Sequence, residues 1–229
     1  MNYAIILSGG TGSRLKGISI PKQYYEVKGK PIIRYTLETI VKSDVIDTYI
    51  IVASEEWHAY IKDKLCGLNE KFAGFAIPGE NRQLSISNGL EKLKGTANEN
   101  DVVLIHDAAR PCVSKQLICN CVKACREADG AMPVLPMKDT IYLSKDGNSV
   151  DSLLDRSQLF AGQAPEAFVY GKYLSANERL LREEILKING STQPAILDKL
   201  KVAMIDGEES NFKITTAEDL ERFKRILEV

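Results

Sequence analysis

The sequence predicts an α/β fold, in which a mainly parallel sheet is covered by helices on both faces and carries a projecting β-hairpin arm. Short apolar runs rich in β-branched residues alternate with amphipathic stretches, which is the pattern of repeated β-loop-α units. After about residue 130 this rhythm changes, and extended segments flank a strong turn signal. A chain of 229 residues suits one sizeable domain. We therefore predict a single domain over residues 1–229, with the arm at about 136–160.

The first half of the chain contains four predicted strands that alternate with predicted helices. The strands are predicted at residues 3–7, 48–53, 72–77 and 102–105. Pro31 suits the start of a helix that continues to Ser43, because apolar residues recur along one stripe of it. Ser54 is predicted to cap the next helix. The helix after the third strand carries Ile86 and Leu90 at helical spacing, so its apolar face is expected to cover the sheet.

The second half begins with the predicted arm. Residues 131–135 and 140–143 have extended character, and Lys-Asp-Gly-Asn at 145–148 is a turn signal before another extended run at 149–154. A hairpin of this kind exposes its edges, so we predict that a second subunit covers it. The chain closes with a strand near 202–205, a short segment at 212–214 and a final helix. Thr-Ala-Glu-Asp at 216–219 predicts a capping box at the start of that helix.

The composition excludes several classes of function. The chain has 30 basic and 31 acidic residues, so no global field favours nucleic acid or a membrane surface. No apolar run approaches the roughly 20 residues that cross a bilayer, and the amino terminus lacks the basic region of a signal peptide. The five cysteines suit a reducing cytoplasm better than a disulfide framework. Cys119, Cys121 and Cys125 do not have the spacing of a zinc site and are predicted to be small buried residues.

The most informative segment is the glycine-rich loop after the first strand, Ser-Gly-Gly-Thr-Gly-Ser-Arg-Leu-Lys at 8–16, followed by Pro-Lys-Gln at 21–23. It is neither a Walker loop nor a good dinucleotide-binding fingerprint, because Leu15 stands where a third glycine belongs. Backbone amides beside glycine approach an anion closely, while Arg14 and Lys22 flank the loop. This combination predicts binding of a triphosphate whose pyrophosphate departs. The alternative is a glycine-rich turn with solvated basic residues.

Two further loops follow strands of the predicted sheet. Asp107 lies just past the carboxyl end of the fourth strand, where an aspartate can hold Mg²⁺ against phosphate oxygens. The alternative for Asp107 is a helix cap or a turn, and no catalytic role is assigned to His106. The polar loop at 79–85 could read the edge of a base, or could simply cap the following helix.

Two basic residues lie in apolar surroundings later in the chain. Arg156 follows Leu-Leu-Asp, and Lys213 lies between Asn-Phe and Ile. A buried charge at such a position is costly unless it meets an anion, so both residues are candidates for phosphate binding. The alternative for each is a surface side chain whose stem packs on apolar neighbours while its charge stays in water.

Taken together, these motifs resemble the cytidylyltransferases that make CDP-methylerythritol or CDP-ribitol. The resemblance covers nearly the whole chain and rests on five motifs in the family's order. They are Gly-Gly-x-Gly-x-Arg with Pro-Lys-Gln, Gly-x-x-Arg at 79–82, His-Asp-Ala-Ala-Arg-Pro at 106–111, Asp-Thr at 139–140 and Asn-Phe-Lys-Ile-Thr-Thr at 211–216. The resemblance implies a Rossmann-like fold of the nucleotide-diphospho-sugar transferase type. It also implies a homodimer in which the arm reaches into the partner's site.

The resemblance also implies a role for each matching residue. Arg14, Lys22 and Lys213 would be catalytic, and Asp107 would bind Mg²⁺ or another divalent cation. CTP would be bound by Leu7, Ser8, Gly9, Gly10, Gly79, Glu80, Asn81, Arg82, Ser85 and Ala108. The phosphate of a small polyol phosphate would be bound by Arg110, Thr140, Arg156 and Lys213. The reaction needs no protein nucleophile, because the acceptor's phosphate oxygen attacks the α-phosphorus of CTP directly.

The chain departs from the family pattern in two segments. Gln-Ala-Pro-Glu at 163–166 stands where Gln-Thr-Pro-Gln is usual, and Ser-Thr-Gln-Pro-Ala at 191–195 lacks an aspartate usually found near the acceptor's hydroxyls. The residues at 8–10, the region of Trp57 and residues 162–163 resemble the ribitol 5-phosphate branch, which serves teichoic acid or capsule synthesis. The residues at 106–111 resemble the methylerythritol branch of isoprenoid synthesis at least as well. On this resemblance we expect CTP-dependent cytidylyl transfer to ribitol 5-phosphate, with 2-C-methyl-D-erythritol 4-phosphate as the alternative acceptor.

Two rival functions remain open from the sequence. One is a hexose 1-phosphate nucleotidyltransferase that uses UTP or dTTP, because such enzymes carry a similar glycine-rich loop. The other is a non-catalytic CTP-binding module of a polymer-synthesis complex, in which the altered 191–195 segment marks lost acceptor binding.

Overall fold

The computed structural model describes residues 1–10 and 20–228. Its strands are β1 (Asn2–Leu7), β2 (Glu26–Val27), β3 (Lys30–Pro31), β4 (Thr48–Val52), β5 (Phe72–Ala76), β6 (Val102–Asp107), β7 (Gly130–Pro136), β8 (Ile141–Leu143), β9 (Ser152–Leu154), β10 (Phe160–Gly162), β11 (Glu166–Val169) and β12 (Val202–Asp206). Its α-helices are α1 (Ile32–Val41), α2 (His58–Lys64), α3 (Arg82–Lys92), α4 (Lys115–Ala124), α5 (Tyr170–Glu178), α6 (Arg182–Ile185), α7 (Gln193–Leu197) and α8 (Ala217–Ile226). No helix within these ranges has the length and apolar character to cross a bilayer.

An eight-stranded mixed sheet organises the fold. Its strands follow the order β10-β7-β11-β6-β1-β4-β5, and β12 also pairs with β7. The strands β6, β1, β4 and β5 are mutually parallel, so their carboxyl ends meet at one edge. β11 is antiparallel to both β6 and β7. The predicted α/β fold with a mainly parallel sheet is confirmed.

Both faces of the sheet are covered, as the apolar runs predicted. Along β1, Ala4 and Ile6 belong to one buried cluster and Ile5 to another, because successive side chains of a strand point to opposite faces. Leu37 of α1 packs in the first cluster, and Ile86 of α3 packs in the second. A strand buried on both faces needs apolar residues at every position, which explains why β1 shows no polar alternation.

The predicted helix caps have different outcomes. The capping box of α8 is confirmed, because the backbone N–H of Asp219 donates to Thr216 Oγ1 at 3.2 Å and that of Thr216 donates to Asp219 Oδ2 at 2.8 Å. The prediction for Ser54 is wrong. Its side chain makes no cap hydrogen bond, and it precedes a short 3-10 turn, Glu55–Trp57, that leads into α2. The turn reorients the chain before the α-helix begins, so the hydroxyl is not aligned with the first N–H groups of α2.

The hairpin arm is confirmed as a separate two-stranded sheet. β8 and β9 are antiparallel, with Ile141 opposite Leu154 and Leu143 opposite Ser152. Asp146 closes the connecting turn by accepting from the backbone N–H of Ser149 at 2.8 Å. The arm carries large apolar side chains that are exposed in the isolated chain, namely Tyr142, Leu143, Val150 and Leu153.

Candidate active site

A cleft of about 340 Å³ lies at the carboxyl edge of the parallel strands. The ends of β1 and β6 form its floor, and the loop before α3 forms one wall. Eleven residues predicted from the sequence line it, namely Leu7, Gly9, Gly10, Lys22, Gly79, Glu80, Asn81, Arg82, Ser85, Asp107 and Lys213. Arg14, predicted to be catalytic, lies outside the described residues. The structure therefore brings Lys22, Asp107 and Lys213 into one cleft although they are far apart in the chain.

The glycine loop and the loop before α3 are in close contact. A Cβ atom built on Gly9 would lie 2.5 Å from Cγ of Pro78, and one built on Gly79 would lie 2.3 Å from Cβ of Leu84. Real Cβ atoms do not approach so closely, so only glycine fits at either position. The backbone N–H groups of Gly9 and Gly10 have no hydrogen-bond partner among the described residues, which leaves them available to an anion in the cleft.

Gln23 and Tyr24 hold the beginning of the glycine loop. The Gln23 side-chain amide donates to the carbonyls of Ser8 and Gly10 at 2.7 and 2.8 Å. Ser8 itself is buried, because its N–H donates to the Val52 carbonyl at 2.8 Å and its hydroxyl donates to the Tyr24 hydroxyl at 3.0 Å. Ser8 does not line the cleft, and its polar groups serve the loop's own structure, so its binding of the ligand stays a prediction.

The loop at 79–85 closes on itself before α3. Asn81 accepts from the Leu84 N–H at 2.8 Å as the helix cap and donates to the Ile185 carbonyl at 2.8 Å. The Ser85 hydroxyl accepts from the Gly79 N–H at 3.0 Å and donates to the Asn81 carbonyl at 2.9 Å. Two of the polar side chains that the sequence offered for reading a base, Asn81 and Ser85, are therefore used in capping. They shape this wall of the cleft rather than pointing unpaired groups into it.

Three cations surround the carboxylate of Asp107. Lys213 Nζ lies 2.9 Å from Oδ2, Arg82 Nη2 lies 3.2 Å from Oδ1, and Arg110 Nε lies 3.6 Å from Oδ2. Burial opposes the charged form, but Arg82, Lys213 and Arg110 outweigh it and hold the pKa of Asp107 well below its usual range. Asp107 is therefore ionised throughout the physiological pH range and balances part of the positive charge of the cleft.

The segment after Asp107 places its residues differently from the prediction. Ala108 is buried in the core, its N–H donates to the Leu7 carbonyl at 3.0 Å, and its carbonyl accepts from the Thr36 hydroxyl at 3.1 Å. Ala108 does not line the cleft, whereas the next residue, Ala109, does. His106 is fully buried, which lowers its pKa to about 4, so its ring is neutral. His106 does not line the cleft, in agreement with the absence of an assigned role.

Backbone contacts with this segment fix the positions of Lys213 and Arg110. The Ile214 N–H donates to the Ala109 carbonyl at 2.9 Å, so the segment at 212–214 is held against the end of β6 without forming a strand. Arg110 Nη1 donates to the Asn211 carbonyl at 2.7 Å. Arg110 therefore reaches Asp107 from the same loop, and Lys213 reaches it from a segment distant in the sequence.

Thr140 and Arg156 lie elsewhere. Both line a separate depression on the arm, and Arg156 Nη1 donates to the Lys138 carbonyl at 2.7 Å. Within one chain, the structure does not bring these predicted acceptor-binding residues to the cleft of Asp107, because the arm projects from the main sheet.

Other residues of the site were not singled out from the sequence. Gln23 was available as part of the Pro-Lys-Gln motif, but its effect on loop shape depends on contacts that only the fold creates. Glu166 and Ser191 lie behind Arg82, in the two segments that depart from the family pattern, and their side chains contact each other. That contact pairs the first residue of β11 with the turn before α7 and has no local sequence signal.

The donor set determines which kind of metal ion the cleft can accept. Within residues 1–10 and 20–228, no group of three or more His, Cys, Asp or Glu side chains is placed to hold a metal ion. Asp107 supplies a single ionised carboxylate. This fits Mg²⁺, which commonly takes one or two carboxylates and completes its shell with water and substrate phosphates. It does not fit a structural ion held by the protein alone.

Comparison with known proteins gives a consistent result. Residues 2–229 match the family described as IspD, 2-C-methyl-D-erythritol 4-phosphate cytidylyltransferase. The chain is 31% identical over 228 residues to a ribitol-5-phosphate cytidylyltransferase of Streptococcus agalactiae serotype III, covering 99% of this chain and 95% of the relative. It is 37% identical over 224 residues to a 2-C-methyl-D-erythritol 4-phosphate cytidylyltransferase of Clostridium beijerinckii, covering 96% and 95%.

Solved structures show the same fold. The crystal structure of a 4-diphosphocytidyl-2C-methyl-D-erythritol synthase from Anaerococcus prevotii superposes with a TM-score of 0.85 at 29% identity, covering 100% of this chain and 96% of that one. The Francisella tularensis 2-C-methyl-D-erythritol 4-phosphate cytidylyltransferase superposes with a TM-score of 0.82 at 24% identity, covering 98% of each chain. At that identity the second comparison supports the fold alone.

Proposed function

Because the chain belongs to the IspD family of cytidylyltransferases over residues 2–229, we propose that it transfers a cytidylyl group from CTP to ribitol 5-phosphate. The products are CDP-ribitol and pyrophosphate. The observation that carries this proposal is the meeting of Lys22, Lys213 and Asp107 with the glycine-loop amides in one cleft. This set of groups is suited to binding a polyphosphate and to stabilising charge on a leaving pyrophosphate.

The proposed mechanism uses alignment and charge rather than a protein nucleophile. A phosphate oxygen of the acceptor forms a bond to the α-phosphorus of CTP, while the bond to the bridging oxygen breaks and pyrophosphate takes the electron pair. The amides of Gly9 and Gly10 bind phosphate oxygens, and Lys22 stabilises the negative charge that grows on the leaving group. Lys213 leaves Asp107 to bind the acceptor phosphate. A divalent ion at Asp107 would neutralise phosphate charge and orient the triphosphate.

The close packing of the glycine loops gives a testable consequence. We expect Gly79→Ala to lower kcat/KM for CTP by about 10²-fold, because the new methyl group forces Gly79 and Leu84 apart and so distorts the 79–85 loop that forms this wall of the cleft. Gly190→Ala is the matched control, since a Cβ there meets nothing within 4 Å. Steady-state kinetics with varied CTP would measure both. Equal effects of the two substitutions would contradict the role given to Gly79.

Two acceptors are supported by different observations. Ribitol 5-phosphate is favoured by the resemblance of residues 8–10, the Trp57 region and residues 162–163 to the ribitol branch. The second candidate is 2-C-methyl-D-erythritol 4-phosphate, favoured by the higher identity to a named methylerythritol enzyme, 37% against 31%. Both acceptors present a phosphate and several hydroxyls, so the cation cluster alone does not separate them.

Pyrophosphate release with a panel of acceptors tests the proposal. The purified enzyme with Mg²⁺ and CTP should release pyrophosphate with ribitol 5-phosphate, and CTP should be preferred over UTP and dTTP. A higher kcat/KM with 2-C-methyl-D-erythritol 4-phosphate would make that compound the substrate. Preference for UTP or dTTP with a hexose 1-phosphate would refute the cytidylyl assignment. CTP binding without pyrophosphate release for any acceptor would favour the non-catalytic module.

The metal requirement is tested by adding a chelator, which should abolish turnover if Mg²⁺ is required.

We further propose that the active enzyme is a homodimer in which the arm of one subunit completes the cleft of the other. Support comes from the exposed apolar side chains of the arm and from the distant placement of Thr140 and Arg156. Burial of such side chains against a second copy would remove them from water.

Subunit exchange provides the sharpest test of this dimer. Lys22→Ala and Arg156→Ala should each be poorly active alone, but a mixture of the two should regain activity. In a mixed dimer, the Arg156→Ala subunit supplies a cleft with native Lys22, and the Lys22→Ala subunit supplies an arm with native Arg156. Leu153→Asp on the arm should lower the mass in light scattering from dimer to monomer. Leu197→Asp, at another exposed apolar side chain, is its control. A monomeric active wild-type enzyme, or no recovery on mixing, would contradict the shared cleft.

We also propose a cytoplasmic location. All five cysteines are free thiols, and Cys121 and Cys125 are buried in the core, where they pack as small apolar residues. Free thiols in this number suit a reducing compartment. Fractionation of the source cells with detection of the chain in the soluble fraction would test the location.

A further inference from the structure

Behind the wall of the cleft lies a second carboxylate, Glu166, at the first position of β11. Glu166 is opposite Ile105 in the pairing of β11 with β6, so it lies at the same edge of the sheet as Asp107. Its residue surface is only 7% exposed, and it does not line the cleft. A buried carboxylate near a site of chemistry needs partners, because an unpaired buried charge is costly.

The partners of Glu166 are two hydroxyls and one guanidinium. The Thr192 hydroxyl donates to Oε1 at 2.6 Å, and the Ser191 hydroxyl donates to Oε2. Arg82 Nη2 lies 3.8 Å from Oε2, and Arg82 Nη1 donates to the Ser191 hydroxyl at 2.7 Å. Glu166 therefore acts on Arg82 both by charge and through the hydroxyl of Ser191.

Arg82 is thus shared between two carboxylates. On the cleft side, its Nε and Nη2 donate to Asp107 Oδ1 at 3.3 and 3.2 Å. On the buried side it meets Glu166 and Ser191. When a phosphate or a metal ion engages Asp107, the contact on the cleft side weakens and the buried contacts remain. The orientation of the guanidinium in the working enzyme then depends on Glu166.

The energetics argue against a purely structural role for the Glu166 charge. Burial raises the pKa of Glu166, and Arg82 and the Thr192 hydroxyl only partly oppose this. A carboxyl with a raised folded pKa binds protons more readily when folded, so its ionisation lowers stability as pH rises through that pKa. The charge therefore costs stability above that pKa, and replacing it by an amide of the same shape removes that cost.

We propose that Glu166 is a positioning residue, which holds the guanidinium of Arg82 against the wall of the cleft through direct charge and the hydroxyl of Ser191. This arrangement links the wall of the cleft at 79–85 to the turn at 191–192. The identity of the ligand that Arg82 meets rests on the proposed cytidylyl transfer, whereas the positioning of Arg82 in the free enzyme does not.

Glu166→Gln tests the proposal, because it keeps the size of the side chain and removes its charge. We expect kcat/KM for CTP to fall about tenfold, which is the scale of one charge-assisted contact. The loss should arise from KM more than from kcat, since Glu166 does not touch the reacting groups. The control is Glu208→Gln, because Glu208 accepts a hydroxyl hydrogen bond from Ser114 at 2.5 Å and is not among the contacts of Arg82 in the described residues.

A double-mutant cycle separates positioning from folding. In an Arg82→Lys background, the further change Glu166→Gln should alter kcat/KM by less than about threefold, because the guanidinium that Glu166 positions is already absent. A full tenfold loss in that background would overturn the proposal, and so would an unchanged kcat/KM in Glu166→Gln alone. Loss of activity in proportion to a lowered melting temperature would mark a structural role and also overturn it.

A second readout does not depend on turnover. In the free enzyme, the Arg82 Nη1–H resonance should be protected from exchange with water, because Nη1 donates to the Ser191 hydroxyl that Glu166 holds. Glu166→Gln should reduce that protection, while Glu208→Gln should not. If the wild-type enzyme transfers no nucleotide to any acceptor, the proposed function fails and this resonance still decides the inference. Unchanged protection in Glu166→Gln would overturn it.

Discussion

Lys22→Ala should lower the rate of cytidylyl transfer by about 10²–10³-fold while the fold remains intact. Lys22 begins the short 3-10 turn Lys22–Tyr24, and the next two side chains, Gln23 and Tyr24, fasten the glycine loop through Ser8. Its ammonium group is therefore placed on a rigid turn at the cleft. A cation that is already in place when charge develops on the leaving pyrophosphate lowers the barrier without the cost of reorganisation.

The rate should be measured as pyrophosphate release under saturating CTP and acceptor, with the melting temperature recorded in parallel. Lys30→Ala is a matched control, because Lys30 is an exposed lysine nearby whose ammonium pairs with Glu38 at 2.9 Å. An exposed pair of this kind contributes little, so Lys30→Ala should retain full turnover. Retention of the wild-type rate by Lys22→Ala would remove Lys22 from the mechanism.

Asp107→Asn should reduce turnover by at least about 10²-fold, yet should not weaken CTP binding measured without metal. The two effects separate because Asp107 has two roles. As a carboxylate it is the only predicted protein ligand for a divalent ion, so its loss impairs the metal-assisted step. As the counter-ion of Lys213, Arg82 and Arg110, it competes with the triphosphate for the same cations.

Calorimetric titration of CTP in the presence of a chelator would measure the second effect, and kinetics over a range of Mg²⁺ concentrations would measure the first. Asp206→Asn, which changes an exposed aspartate at the end of β12, is a suitable control for the loss of one negative charge. A weaker affinity of Asp107→Asn for metal-free CTP would contradict the competition. Unchanged turnover would exclude Asp107 as the metal ligand.

The pH dependence of stability offers a related check on Asp107. Its folded pKa lies below the unfolded value of about 3.9, because three cations favour the ionised form against burial. The stabilisation is therefore fully present above about pH 4 and is lost as pH falls below it. Asp107→Asn lacks this contribution at every pH, so its melting temperature should fall less steeply on acidification than that of the wild-type enzyme.

Much of the fold could be predicted from sequence because the signals are local. The runs that form β1 and β4 are apolar after their first residue, which is typical of strands buried on both faces, and glycine or polar residues mark where they end. The rule that parallel strands end at one edge then brings Lys22 and Asp107 together. The position of Lys213 required the family resemblance, since its approach depends on the backbone contact between Ile214 and Ala109.

The remaining features depend on contacts between distant segments. β11 has four residues and begins with a buried glutamate directly after a proline, so local pattern gives no reason to place it between β6 and β7. The direction in which a loop side chain points is equally non-local. Ser8 and Ala108 belong to the predicted motifs, yet their polar groups are taken by Val52, Tyr24, Leu7 and Thr36.

The contact between Ile214 and Ala109 has a consequence for how the enzyme is made. The floor of the cleft comes from the ends of β1 and β6, whereas the lysine beside Asp107 is delivered by a segment just before α8. Translation must therefore pass Lys213 before a competent cleft can assemble. Termination between β12 and Lys213 would leave the strands of the main sheet without the lysine beside Asp107.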